Sequence, residues 1–297
     1  MPRNFLVILL AGASVAARAQ EADAPKEEPA SSEIVVQGIN PDRQIDDFVQ
    51  ALTDAPIGGQ LSRFDWAVCP AATGLPQAQN AAVRERMRRV ARAAAIPLAG
   101  PGCKPNVLLI ATPDKKVLIE GLNRKYPSYF SGIPRDRVRD LARRPGPAAA
   151  WHVRGRISAD AELVPTDGVS GPHVYQATRD PSRLSPATRP HFLGAVVVVE
   201  HSALTGLTTT QLADYAAMRA FAQTEPGRLE KATAPSILTV LEAPMGTPTP
   251  VTMTRWDFSF LKALYAAPVD KYVNVQRSAI RHRVRKELER ERQGSER

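Results

Sequence analysis

An α+β fold, built on a mixed β-sheet of about five strands with packed helices and a helical C-terminal part, is what the sequence predicts. Three observations carry that expectation. Apolar runs of strand length recur in the first two thirds of the chain, and the strongest, over 192–201, contains Val196, Val197, Val198 and Val199 in succession. β-branched residues at that density favour a central strand covered on both faces. Between these runs lie segments whose apolar residues recur every three or four positions, the period of a helix packed on one face. After Thr208 helical spacing dominates, so strands and helices interleave first and helices close the chain.

The elements follow in order. Arg3, an apolar stretch over 5–15 and small residues at Ala17 and Ala19 have the layout of an export signal cleaved after Ala19. That stretch is too short and wrongly flanked for a membrane span. The mature chain is therefore expected to be periplasmic or secreted. Residues 20–39 read as a disordered linker, polar and without apolar periodicity, ending in a short extended segment at 33–38. A single domain is expected over 40–292, followed by a disordered tail at 293–297.

Asn40-Pro41-Asp42 starts a helix with Ile45, Phe48, Val49 and Leu52 on one face. A strand is expected over 64–68, leading to Cys69. The clearest helix is 76–95, where Val83, Met87, Val90 and Ala94 oppose Arg84, Arg88 and Arg92. A buried strand over 106–112 and helices over 113–125 and 134–143 follow. Pro145-Gly146-Pro147 breaks the chain before a strand at 150–157, with a return strand at 173–177. Thr208 and Gln211 form a capping-box pattern ahead of a helix over 212–222, apolar almost all round and so buried. The last helices are expected at 236–241, 254–265 and from 273 onward, where Ile280, Val284 and Leu288 form a stripe.

Composition bounds the partners. Lysine and arginine total 39 against 30 acidic residues, a formal net charge of +9. The arginine-bearing helices could meet anionic lipid or polymer surfaces. They lack the exposed aromatics that nucleic-acid modules add to a basic face, and Glu85, Glu287, Glu289 and Glu291 dilute them. No specific nucleic acid and no transmembrane segment are expected. The only two cysteines are Cys69 and Cys103. In an oxidising compartment they are expected to pair, closing a loop of about 35 residues worth roughly 3–4 kcal/mol. Neither has a nearby histidine or the C-x-x-C spacing of a metal or redox site.

Candidate chemistry is sparse. His152, His173, His191, His201 and His282 include no i, i+4 pair, and H-E-x-x-H does not occur. No metal and no cofactor are expected. Glu200 and His201 end the strongest strand and point to opposite faces. A polar strand end fits them better than a metal shared with His191. Residues 168–171 lack the spacing of a nucleophile elbow. Gly100-Pro101-Gly102 precedes a strand, the wrong order for a phosphate cradle. Tyr126, Tyr129 and Phe130 form a small aromatic cluster, read as local packing.

Glu33-Ile34-Val35-Val36-Gln37-Gly38 resembles the segment that opens the mature region of TonB-dependent receptors, but no barrel-length set of strands follows. From Phe64-Asp65-Trp66 onward the order of segments resembles secreted bacterial proteins with a zincin-like, metalloprotease-type layout. The run from Thr254 to Tyr265 is similar to the x-x-D-x-x-x-L-x-x-L-Y helix that such proteins carry after the catalytic region. Where they carry the metal-binding helix, this chain has Leu212-Ala213-Asp214-Tyr215-Ala216-Ala217-Met218, without histidine. The resemblance therefore implies a zinc-less fold whose Asp214 and Tyr215 can hold hydrogen bonds. The expected function is a non-enzymatic envelope or secreted protein that binds an unknown protein or envelope polymer. The alternative is a hydrolase with a polar cleft around Glu200, His201 and Asp214.

Overall fold

The computed structural model describes residues 40–55, 59–158, 160, 162–164, 182, 185–244 and 246–295. The expected signal peptide, linker and extended segment, the loop at 168–171 and the return strand at 173–177 lie outside the described residues. From Ile39 onward the chain forms one unit.

Helix α1 (Pro41–Leu52) starts at Asn40, whose side-chain oxygen accepts the Asp42 and Arg43 amides. Strand β1 (Pro70–Thr73) passes through α2 (Gln77–Ala93) to its parallel neighbour β2 (Val107–Thr112). Next come α3 (Lys115–Lys125), α4 (Arg135–Arg143), β3 (Ala148–Ser158), the short β4 (Leu163–Val164) and β5 (Thr188–Glu200). Helices α5 (Thr209–Phe221), α6 (Arg255–Ala266) and α7 (Val273–Ser295) complete the order.

The sheet has five strands in the order β1-β2-β5-β3-β4, with β1, β2 and β5 parallel and β3 antiparallel to both its neighbours. The valine strand thus takes the centre. Side chains alternate between faces along a strand. Val107, Leu109, Ala195, Val197 and Val199 join the large core with α1, α2, α5, α6 and α7, while Val196 and Val198 join a smaller core with α3 and α4. Helices on both faces explain why β5 is apolar continuously and not at every second residue. Trp151 belongs to the smaller core, stacked on Phe130 with ring centroids 4.9 Å apart.

Cys69 and Cys103 are bonded, with Cα atoms 6.0 Å apart. The bridge ties the residue before β1 to the lead-in of β2. Asn106 reinforces it, accepting from the Cys69 amide at 2.7 Å and donating to the Ala67 carbonyl at 3.2 Å.

Three expectations need correction. Residues 64–68 are not a strand: Arg63 and Val68 make single bridges to His191 and Leu98, and the strand forms at Pro70–Thr73. Pro-Ala-Ala-Thr has little strand propensity of its own, so pairing with β2 decides its place. Gly74 ends the strand at φ +88°, where a Cβ would lie 2.0 Å from the Ala111 carbonyl oxygen. The helix expected over 236–241 shrinks to a 3-10 turn at Ile237–Thr239. There the Asp257 carboxylate, at the N-terminus of α6, accepts the Ser236 hydroxyl at 2.6 Å and the Ile237 amide at 2.8 Å, which ties the turn down. Finally, α7 continues to Ser295, into the segment expected to be disordered. Its Glu- and Arg-rich end favours propagation of a helix already nucleated upstream.

Candidate functional site

The residues nominated from the sequence serve separate contacts. Glu200 ends β5, and its Oε1 accepts the Lys115 amide at 3.0 Å, capping α3. His201 opens a 3-10 turn, is exposed, and places Nε2 3.0 Å from the Gly74 carbonyl oxygen. Asp214 is fully buried. Its Oδ1 accepts Arg86 Nε at 2.7 Å and its Oδ2 accepts a terminal Arg86 nitrogen at 2.9 Å. Oδ2 also takes the Thr252 hydroxyl and the Met253 amide, each at 2.7 Å. This carboxylate raises the Arg86 guanidinium above its ordinary range. With its lone pairs engaged, Asp214 joins α5 to α2 and to the segment before α6. It is unsuited to act as a base.

Two of the histidines, His152 and His191, are buried in structural contacts. His152 is buried, stacked on Phe192 at 4.0 Å, with Nε2 3.0 Å from the Ala220 carbonyl oxygen. Burial pushes its pKa down to about 3, so it stays neutral at ordinary pH. His191 is fully buried; its Nδ1 accepts the Asp65 amide at 3.2 Å and lies 3.3 Å from Asp65 Oδ2. His282 is exposed on α7, and His173 lies outside the described residues. Among the described residues no three of His, Cys, Asp and Glu come together as metal ligands. Tyr126 and Tyr129 are exposed, Phe130 is buried, and Trp151 Nε1 donates to the Tyr129 carbonyl at 2.9 Å.

The geometry gathers a different set. A cleft of about 800 Å³ runs along β3, walled by α4, by the C-terminal half of α5 and by the loops at 223–228 and 241–242. Its strand wall is made by Ala148, Ala149, Ala150, Trp151 and His152 in succession. Side chains alone would contribute every second residue, so consecutive lining means that the backbone edge itself faces the cleft. Strand β5 pairs with β3 along one side, whereas β4 reaches only Arg156 and Ile157 on the other. Among the described residues, Ala148–Val153 has no strand partner on the cleft side. Two side chains hold this edge in place from opposite faces: Trp151 against Phe130 and His152 against Phe192.

The comparisons with known proteins found no match. That holds for family models, for curated proteins and for solved structures alike. The site must therefore be read from its own residues.

The far wall holds Tyr215 and Arg219, successive on one face of α5. Arg219 is 5% exposed; it donates one hydrogen bond to the Tyr215 hydroxyl at 3.2 Å, and its Nε has no partner. Among the described residues it makes no ion pair. Burial raises the Tyr215 hydroxyl above its ordinary range. Two of the other cleft arginines are neutralised where they stand: Arg144 pairs with Glu225 at 2.6 Å and Arg228 with Asp54 at 2.7 Å. Glu242 lies at the exposed mouth. Desolvation by the walls raises its carboxyl, against the pull of Arg219 and with the push of Glu230 and Glu225. The rim is pinned from outside: buried Lys115 donates to the Arg144 carbonyl at 2.6 Å and to the Gly146 carbonyl at 2.5 Å.

Such a site can offer main-chain donors and acceptors to an extended chain and a guanidinium to an anion. Tyr215 was legible as a polar residue of the α5 helix. Arg219 and Glu242 were missed, although one signal for Arg219 existed: apart from Asp214 it is the only charge within Thr209–Phe221.

Proposed function

We propose that this protein is an exported, non-enzymatic binding module that holds an extended polypeptide segment in the cleft along β3. One observation carries the reading: the cleft wall is a strand edge without a partner among the described residues, on a strand whose two faces are fixed by Trp151 and His152. An edge of that kind binds by strand addition, with main-chain hydrogen bonds giving affinity and flanking pockets giving selectivity. A volume of about 800 Å³ suits a short peptide segment. Export is proposed from the N-terminal layout, and a disulfide suits an oxidising compartment. Among the described residues no helix is long and apolar enough to cross a membrane.

The zincin-like resemblance is proposed in the same sense, as the trace of a layout without its metal chemistry. H-E-x-x-H would set two histidines four residues apart on one helix face. At that spacing the cleft meets Tyr215 and Arg219, and an arginine does not ligate zinc. A hydrolase built on Glu200, His201 and Asp214 has less support, because those groups are committed to α3, Gly74 and Arg86.

The test is selection from a randomised phage-displayed peptide library, followed by hydrogen exchange on the complex. The expected result is protection of the Ala148–Val153 amides and loss of binding when alternate peptide nitrogens are methylated. Selected peptides that protect no β3 amide would overturn the reading. So would steeply salt-dependent binding to α7 instead, the mark of an anionic polymer or lipid surface.

A further inference from the structure

We infer that Arg219 is a carboxylate seat: the extended ligand of the β3 cleft carries an acidic group that docks on this guanidinium. The inference rests on the peptide reading of the cleft and names the chemistry that the peptide must present there.

A buried guanidinium without a counter-ion is costly, since desolvation is not repaid by a partner charge. Arg219 is 5% exposed, bonds only the Tyr215 hydroxyl and keeps a buried Nε without an acceptor. Two other arginines of the cleft are matched, Arg144 by Glu225 and Arg228 by Asp54. Within α5 itself Asp214 is saturated by Arg86, Thr252 and Met253. Among the described residues that line the cleft, Arg219 Nε is the buried side-chain nitrogen left without a partner.

The chemistry follows from the donor. Nε and a terminal nitrogen of a guanidinium form a planar fork that fits the two oxygens of a carboxylate. Arg86 displays that geometry on Asp214, through Nε and one terminal nitrogen. Arg219 has the same fork, with its buried Nε unpartnered. The Tyr215 hydroxyl, which accepts from Arg219, can donate its own proton to one oxygen of the incoming group. Glu242 stands at the mouth, near enough for its charge to feel Arg219, and its carboxylate opposes entry of another. Removing that charge should therefore tighten the binding of an acidic ligand. The carboxylate has two sources, the C-terminus of a peptide or an Asp or Glu side chain within it.

The experiment begins with small probes on the whole chain. N-acetylglycine and N-acetylglycinamide have the same shape and differ in charge. Titration of each, followed by NMR of arginine Nε–H groups, should shift the Arg219 signal with the acid and leave it with the amide. Arg219→Gln should abolish that preference, and Arg219→Lys, which keeps the charge, should retain part of it. Glu242→Gln should strengthen acid binding. With the library-selected peptides, replacing a free C-terminus by an amide, or an internal Glu by Gln, should weaken binding about tenfold or more for whichever carries the seated carboxylate. Loss of acid binding in Glu242→Gln would overturn the inference, because the site would then select cations. Peptides that protect β3 amides without any acid preference would overturn the seat and leave the strand-addition reading standing. Acid binding at Arg219 without peptide protection of β3 would do the reverse.

Discussion

Helix α5 holds two charged side chains, Asp214 and Arg219, and its surroundings treat them in opposite ways. Both are buried, at 0% and 5% exposure. Asp214 faces α2 and receives donors from Arg86, Thr252 and Met253, so its charge is fully met by the protein. Arg219, further along the same helix, faces the cleft, touches one hydroxyl and leaves a donor unmet. Burial alone would have put them in one class. Saturation separates them: a buried charge with every partner supplied fixes elements to each other, and one met only in part can still take a partner from outside the chain.

The largest effect should come from the saturated charge. Asp214→Ala strands Arg86 and should destabilise the fold by about 3 kcal/mol, toward the lower end for a broken pair because Arg86 is partly exposed. Urea denaturation measures it, and a loss below about 1 kcal/mol would mean that saturation does not mark a structural role. Next is the packing that brings both charges to their places. Ala216 is fully buried on α5 between sheet and neighbouring helices, so Ala216→Leu should over-pack the contact at a cost of roughly 1–3 kcal/mol. Thr208→Ala removes the cap that starts α5, where the hydroxyl accepts the Gln211 amide at 3.1 Å. A loss of about 1 kcal/mol is expected there, read as a lower melting temperature. If Ala216→Leu and Thr208→Ala both melt like the parent, α5 is not packed as described.

The smallest effect should come from the open charge. Arg219→Gln removes a buried cation that the fold meets only in part, so its melting temperature should equal or exceed that of the parent. A destabilisation comparable to that of Asp214→Ala would erase the contrast and make Arg219 another structural group. A change at Asp214 should weaken every property together; a change at Arg219 should touch ligand preference alone.

Much of the fold was legible residue by residue. The capping pairs at Thr208 and Gln211, the stripe of Val83, Met87, Val90 and Ala94, and the valine run of β5 are local patterns, and each forms its element. β1 was misplaced, because Pro70–Thr73 becomes a strand only by lying beside Val107–Ile110. The site was less legible. Glu200 drew attention as an acid at a strand end and Asp214 as one within the following helix, yet their partners are remote in sequence, at Lys115 and Arg86. Whether a polar group is satisfied is a property of its neighbours in space, which its own sequence window does not contain.

By itself, then, the sequence determined which segments become helices, which apolar run lies at the centre of the sheet, and that Cys69 and Cys103 are the two residues available to a disulfide. Those properties depend on spacing along the chain, and the periods of helix and strand write them into it. Only the tertiary structure decided that Ala148–Val153 lacks a strand partner on the cleft side among the described residues, that α5 turns Tyr215 and Arg219 toward it, and that Asp214 is consumed by Arg86 while Arg219 Nε is left unpartnered. These depend on long-range pairing and on competition for buried donors and acceptors. Both are settled when distant segments meet, since burial makes each polar group find a partner or remain exposed to one from outside.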